Sequence, residues 1–328
     1  MNTVIGIDVS KATRDVLWLR DVNAMKVKSK KLGNTVQGHQ DLLAWAQKPT
    51  GLAVGKLRFV LEATGIYHEA LTYALHEAGA EGVVLNPAQA RAYAKSLGVH
   101  TKNDHKDSMV LARFGASQPC RCWQPEPTEV RQLRALLSRL QALQDDLQRE
   151  TNRREKVQRA VGSAQVEPSI ERRIERLEQE ARRLNQPIDD HFDHPPQLQQ
   201  DRQRLQTIPG IGSVLSRHLV ATYHSRRFSK ASQMAAYMGL VPIQAQSGSS
   251  VNQPARLSKV GPAHWRAKLY RPAIVASRDN AHAKALYERL VAAGKAKKAA
   301  LGAVMRKLVH IAFGVLKHQH SYVPLLAS

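Results

Sequence analysis

Four carboxylates stand where the chain would gather them. Asp8 ends the apolar run Val4-Ile5-Gly6-Ile7, and Glu62 ends Phe59-Val60-Leu61. Asp104 and Asp107 lie three apart at the start of a helical segment and so share one face. A single acid at a strand end is usually a solvated terminus. Four of them on adjoining strands and a helix turn would repel one another, and a divalent cation relieves that repulsion while creating a site for phosphoryl transfer. An all-oxygen donor set selects Mg²⁺, with Mn²⁺ as an alternative.

A second group lies far along the chain. Ser247-Gly248-Ser249-Ser250 offers hydroxyl nucleophiles and is followed by Arg256, Lys259, Arg266, Lys268 and Arg271, with Trp265 and Tyr270 among them. Cations interleaved with aromatics suit phosphate pairing and base packing. The same serines fit a flexible linker, and the aromatics fit a helical core, so residue chemistry alone leaves both readings open. Ile208-Pro209-Gly210-Ile211-Gly212 joins two helical runs, and Gly210 and Gly212 would let backbone N–H groups face a phosphate. Arg306 and Lys307 sit on an amphipathic helix over Leu301 to Leu316.

The elements that must position these groups follow from periodicity. Val4 to Val9, Val16 to Arg20 and Lys26 to Leu32 read as strands at hairpin spacing. A helix over 36–47, a strand ending at Glu62, a helix over 67–79, a strand at Gly82 to Leu85 and a helix opened by Pro87 come next. Together they predict a mixed sheet flanked by helices. Residues 128–188 change character: Leu136, Leu140, Leu143, Leu147, Val157 and Val161, then Ile170, Ile174, Leu177, Ala181, Leu184 and Ile188, repeat at heptad-like spacing. That pattern predicts a helical hairpin or coiled coil, either a spacer or an oligomerisation arm. The last third reads as mainly helical, with 239–262 an exposed loop or short strands.

Charge separates the same regions. The formal net is +22 in 328 residues: +6 over 1–125, −1 over 126–200 and +17 over 201–328. So large an excess on a foldable chain points to a polyanion, because each neutralised phosphate releases counterions. A membrane surface is the rival partner, but no apolar run of ~18 residues and no signal-peptide pattern is evident, so the chain reads as soluble and cytoplasmic. Cys120 and Cys122 are the only cysteines and read as incidental reduced thiols.

Three segments in fixed order carry a resemblance. They are Gly6-Ile7-Asp8-Val9-Ser10-Lys11; then Glu62-Ala63-Thr64-Gly65, Asn86-Pro87 and Lys102-Asn103-Asp104-His105-Lys106-Asp107; then Ile208 to Gly212, Gly239-Leu240-Val241-Pro242, Ser247-Gly248 and Lys259-Val260-Gly261. In these the chain resembles the RNA-guided DEDD transposases of the "IS one-ten" insertion-sequence family, over nearly its whole length. The resemblance implies an α/β RuvC-like domain of the RNase H fold at 1–125, a coiled-coil connector at 126–200 and a mainly α transposase domain at 201–328 with a helix-hairpin-helix-like element. It implies Asp8, Glu62, Asp104 and Asp107 as catalytic metal ligands and Ser247 as nucleophile, with Lys11 joining the basic residues above as nucleic-acid contacts. The partners it implies are donor and target DNA, a non-coding bridge RNA and a homotetramer with active sites shared between protomers. Trp265 departs from the family's usual Leu, and Val241 from a frequent Thr. A hydrolytic nuclease using the same acids with water, and Ser247 as spectator, is the competing reading.

Overall fold

A computed structural model describes residues 3–21, 26–63, 65–99, 103–163, 165–193, 195–247, 251–258 and 260–324; for 244–247 and 251–255 the description is of the backbone. Packing divides the chain into two units, Met1–Pro125 and Glu126–Ser328.

The first unit is a mixed α/β domain. Its strands β1 (Thr3–Val9), β2 (Thr13–Asp21), β3 (Lys26–Gly33), β4 (Leu57–Glu62) and β5 (Glu81–Leu85) form one sheet in the order β3-β2-β1-β4-β5. The first three are antiparallel neighbours, and β1, β4 and β5 run parallel. β1 is central and covered on both faces, which is why its sequence is nearly continuous apolar residue. Ile5, Ile7 and Val9 share a core with Leu42 and Ala46 of α1 (Val36–Thr50) and Leu71 and Leu75 of α2 (Glu69–Glu77). The other face, with Val4, Leu17 and Val60, packs on Ala90 of α3 (Pro87–Ser96) and Leu111, Ala112 and Phe114 of α4 (Asp104–Ser117). Caps fix the helix starts. The side chains of Thr35, Asn86 and Asn103 accept from the backbone N–H of Gly38, Ala88 and His105 at the N-termini of α1, α3 and α4.

The second unit is largely helical. A hairpin of α5 (Thr128–Arg159) and α6 (Glu167–Asp193) leads into α7 (Pro196–Gln206), α8 (Ser213–Ser225) and α9 (Ala231–Tyr237). An antiparallel pair β6 (Pro242–Ser247) and β7 (Val251–Leu257) comes next, then α10 (Ala263–Asp279), α11 (Ala281–Ala292) and α12 (Lys297–His318). The buried stripe of α5 runs through Leu133, Leu137, Leu140 and Leu143, and that of α6 through Ile170, Ile174, Leu177 and Ile188. Val161, expected to continue the repeat, lies beyond the end of α5 and is fully exposed. Leu133, Leu137, Leu140, Ile188 and Phe192 belong to the same core as α7 to α12, so packing continues across residue 200.

One described helix, α12, is long and apolar enough to cross a membrane, contrary to the expectation that no such run exists. It carries Val304, Leu308, Ala312 and Val315 inside the core of this unit, and its apolarity is that of a helix wrapped by α7 to α11.

Candidate active site and nucleic-acid interface

Parallel pairing sets Ile7 against Leu61, which places Asp8 and Glu62 side by side at the C-terminal ends of β1 and β4. Both alternate onto the face covered by α4, whose first turn carries Asp104 and Asp107. The Asn103 cap fixes where that turn begins. Ser108 then ties helix to strands: its hydroxyl lies 3.3 Å from the Asp8 backbone N–H, which donates to it, and itself faces the carbonyls of Asp15 at 2.8 Å and Asp104 at 2.9 Å.

Close approach of α4 depends on Gly6. A Cβ there would stand 1.9 Å from the Ser108 carbonyl oxygen and 2.6 Å from the Ala112 amide nitrogen. Both are helix backbone and cannot rotate aside. Gly6→Ala is therefore expected to push α4 off the strand and lower stability by about 1–3 kcal/mol, the usual range for overpacking. Urea unfolding checks this, and a variant as stable as the parent would contradict the packing argument.

The acids feel one another. Burial first, then the charges of Asp107, Asp104, Glu62 and Asp15, raise the Asp8 carboxyl from 3.8 to about 6. Ionised Asp8 therefore destabilises the folded state. That penalty is full above pH 6, shrinks as pH falls through 6, and is gone below the unfolded value of 3.8. In EDTA at pH 8, Asp8→Asn is expected to melt above the parent, with the gap closing towards pH 4. A variant that melts lower at pH 8 would show that the acids do not repel. Among the described residues, no group of three or more His, Cys, Asp or Glu side chains stands as placed to hold a metal ion, so the four acids share a face without closing on one site.

Two contributors escaped the sequence reading. Asp15 pairs with Asp8 across the β1–β2 hairpin, on the same face, and its carboxylate lies 3.6 Å from Lys31. Ser108 is the other. The hairpin register could have pointed to Asp15; nothing in sequence marks Ser108 beyond its place after Asp107.

Ser247 ends β6, paired with Val251; its side chain lies outside the described residues, as do Lys102, Gly248, Ser249, Ser250 and Lys259. Lys11 and Arg271 are exposed, as contacts to a backbone require. Gly212 opens α8 with free space around it. Gly210 has another use: at φ 98° its Cα faces α10, and a Cβ would stand 2.8 Å from the Pro272 carbonyl oxygen. Arg266 reaches the Gly239 carbonyl at 3.4 Å, and Arg306 donates to the Leu240 carbonyl at 2.7 Å, so both brace the turn before β6. Lys268 is half-buried against Gln141 of α5, and burial lowers its ammonium. Trp265 is core, not a stacking platform, while Tyr270 is exposed. Cys120 and Cys122 are unbridged.

Comparison with known proteins places both units. Residues 5–160 match the DEDD transposase model of the IS110 type, described as "Transposase", and residues 202–288 match "Transposase IS116/IS110/IS902 family". The chain is 31% identical over 322 residues to the pilin gene-inverting protein of Moraxella bovis, covering 98% of this chain and 97% of that one. The counterpart from Moraxella lacunata is 30% identical over the same length. With both halves matched and relatives aligned nearly end to end, the chain belongs to the IS110 family of DEDD transposases and recombinases.

Proposed function

We propose that this recombinase cuts and rejoins DNA through a covalent serine–phosphate bond made by Ser247, beside a divalent cation held by Asp8, Glu62, Asp104 and Asp107. The observation that carries the reading is the register that sets Asp8 and Glu62 side by side on the face covered by the first turn of α4, with Asp104 and Asp107; burial and these acids with Asp15 raise the Asp8 carboxyl to about 6. Such a field of negative charge suits a hard cation, and the donors are all oxygen, so Mg²⁺ or Mn²⁺ fits the residues present. Bound there, the cation supplies charge stabilisation at the transferring phosphoryl group.

The chain's own residues do the rest. The Ser247 oxygen bonds to phosphorus as the bond from phosphorus to one sugar oxygen breaks, and that oxygen leaves as a hydroxyl carrying the proton serine gave up. A hydroxyl from the other strand then attacks, a new phosphodiester forms and serine recovers its proton. No phosphodiester energy is lost to water, so resealing needs no ATP. Lys11, exposed two residues past the end of β1, is placed to pair with a strand phosphate near Asp8. Asp15, next to Asp8, adds to the charge the cation must meet.

A structured non-coding RNA that pairs with donor and target fits the family resemblance and the +22 charge. Assembly as a tetramer is part of the same reading. The curated relatives invert a gene by name, and inversion is the same strand exchange carried out between two sites of one molecule. The test is a recombination assay with donor and target DNA, the matched RNA and Mg²⁺. Asp8→Asn and Asp104→Asn are each expected to lower joining by ~10²–10³-fold with nucleic-acid binding retained. Full activity in either variant would remove the acids from the mechanism.

A further inference from the structure

In the second unit, a half-open cavity of about 290 Å³ lies between the base of the β6–β7 hairpin and the helices α11 and α12. Four cations line it: Arg256 on β7, Lys295 in the turn before α12, and Arg306 and Lys307 on α12. No Asp or Glu is among the described residues lining it. Its floor is apolar, with Leu257, Leu286 and Ala303. Gly302 leaves room for the Leu257 side chain in this floor: a Cβ there would stand 2.9 Å from the Leu257 Cδ1 and displace it.

His310 also lines the cavity. Its Nε2 is buried without a hydrogen-bond partner. Burial, then Arg306 and Lys307, hold this imidazole below its ordinary value, so it stays neutral at physiological pH. Apolar floor and cationic rim together describe a site for an amphipathic anion, and a surface salt-bridge cluster would contain acids.

We infer that this cavity is a subsite for one nucleotide of a bound nucleic-acid strand, with its phosphate held by Arg256, Lys295 and Lys307 and its sugar or base laid on Leu257, Leu286 and Ala303. This rests on the nucleic-acid reading above and makes it local. Arg256 pairs with Ile243 across the hairpin, and Ser247 lies four residues further along β6. At ~3.3 Å per residue that is about 13 Å, within reach of a strand only a few nucleotides long. The occupant is therefore a neighbour of the phosphate that Ser247 would attack, and the cavity anchors the strand whose scissile bond must be presented there. Arg306, held by the Leu240 carbonyl, stiffens the wall.

The test uses the full chain and fluorescent 20-nucleotide DNA and RNA single strands. Ala303→Phe fills the cavity without altering charge and is expected to raise Kd at least tenfold at 0.3 M NaCl. Arg256→Gln with Lys307→Gln should reduce the slope of log affinity against log salt by about 0.7, the contribution of the one single-strand phosphate they hold. A control pair, Arg278→Gln with Lys284→Gln, removes the same charge from exposed sites elsewhere and should change the slope far less. Loss with DNA alone, or with RNA alone, supports the subsite and names the strand that fills it. Ala303→Phe binding both strands like the parent overturns the inference. Should that variant fail to fold, an identical slope change in the two double variants overturns it instead. A parent chain that binds neither strand at 0.05 M salt would instead bring down the nucleic-acid reading itself.

Discussion

Ser247→Ala is expected to abolish strand joining and the covalent protein–DNA adduct while leaving DNA and RNA affinity unchanged. Three serines stand within four residues, Ser247, Ser249 and Ser250. Ser247 ends β6 in a ladder that runs from Pro242 paired with Leu257 to Ser247 paired with Val251, so its backbone is held by the hairpin. A nucleophile must be placed within a fraction of an ångström of its target, and a paired strand end gives such placement. The base of the hairpin is braced as well: the Arg306 and Arg266 guanidiniums donate to the carbonyls of Leu240 and Gly239. Loss of a nucleophile typically lowers turnover by 10³-fold or more. The comparison is Ser247→Ala against Ser249→Ala and Ser250→Ala, read on a denaturing gel with Mg²⁺ and matched nucleic acids. The two neighbours should retain adduct and product. If Ser247→Ala still nicked DNA, water would be the nucleophile and the protein a metal-dependent nuclease of the same fold.

The second large effect concerns stability. Asp201 is completely buried, and its carboxylate gathers four side chains: His224 at 2.7 Å, Gln319 at 2.9 Å, Gln197 at 3.1 Å and Arg204 at 3.3 Å. These come from α7, α8 and the C-cap of α12, so one carboxylate ties three elements together. Burial alone would raise this carboxyl, but hydrogen bonds from His224, Gln319 and Gln197 outweigh it and hold Asp201 below the ordinary range. The stabilisation is thus present above the unfolded value and lost as pH falls through the lower folded one. Asp201→Ala strands the four partners and is expected to cost about 3–5 kcal/mol, as breaking a buried charged pair does. For a unit of this size that corresponds to a fall in Tm on the order of 10 °C. Thermal melting by circular dichroism checks it. A loss below about 1 kcal/mol would mean that the network is not cooperative.

Strand-end acids were legible in the sequence because β1 and β4 are central strands, where an uninterrupted apolar run announces its own end. Asp8 and Glu62 close those runs, and the three-residue spacing of Asp104 and Asp107 marks one helix face. The α5–α6 stripe was legible for a similar reason, since a helix packed on one face must repeat at 3.6 residues. Its exact face was not: the buried line on α5 passes through Leu133 and Leu137, with Leu136 only partly covered. The hairpin at 242–257 sat inside a stretch where strand and loop were equally readable.

Order along the chain sets the chemical groups available, the strand and helix periods, and the excess of positive charge. Tertiary structure alone decided which groups meet. Asp15 joins the acids because hairpin register sets it opposite Asp8, and register depends on pairing across the chain. Gly6 and Gly210 serve close packing because α4 and α10 lie over them, which no local pattern can report. Trp265 and α12 are core because other helices cover them. The cavity around Arg256 and Lys307 exists because β7 and α12, distant in sequence, pack side by side. Periodicity is a property of neighbours along the chain and shows which face of an element is apolar. What covers that face is set by contacts between residues distant in sequence, and those exist only once the chain has folded.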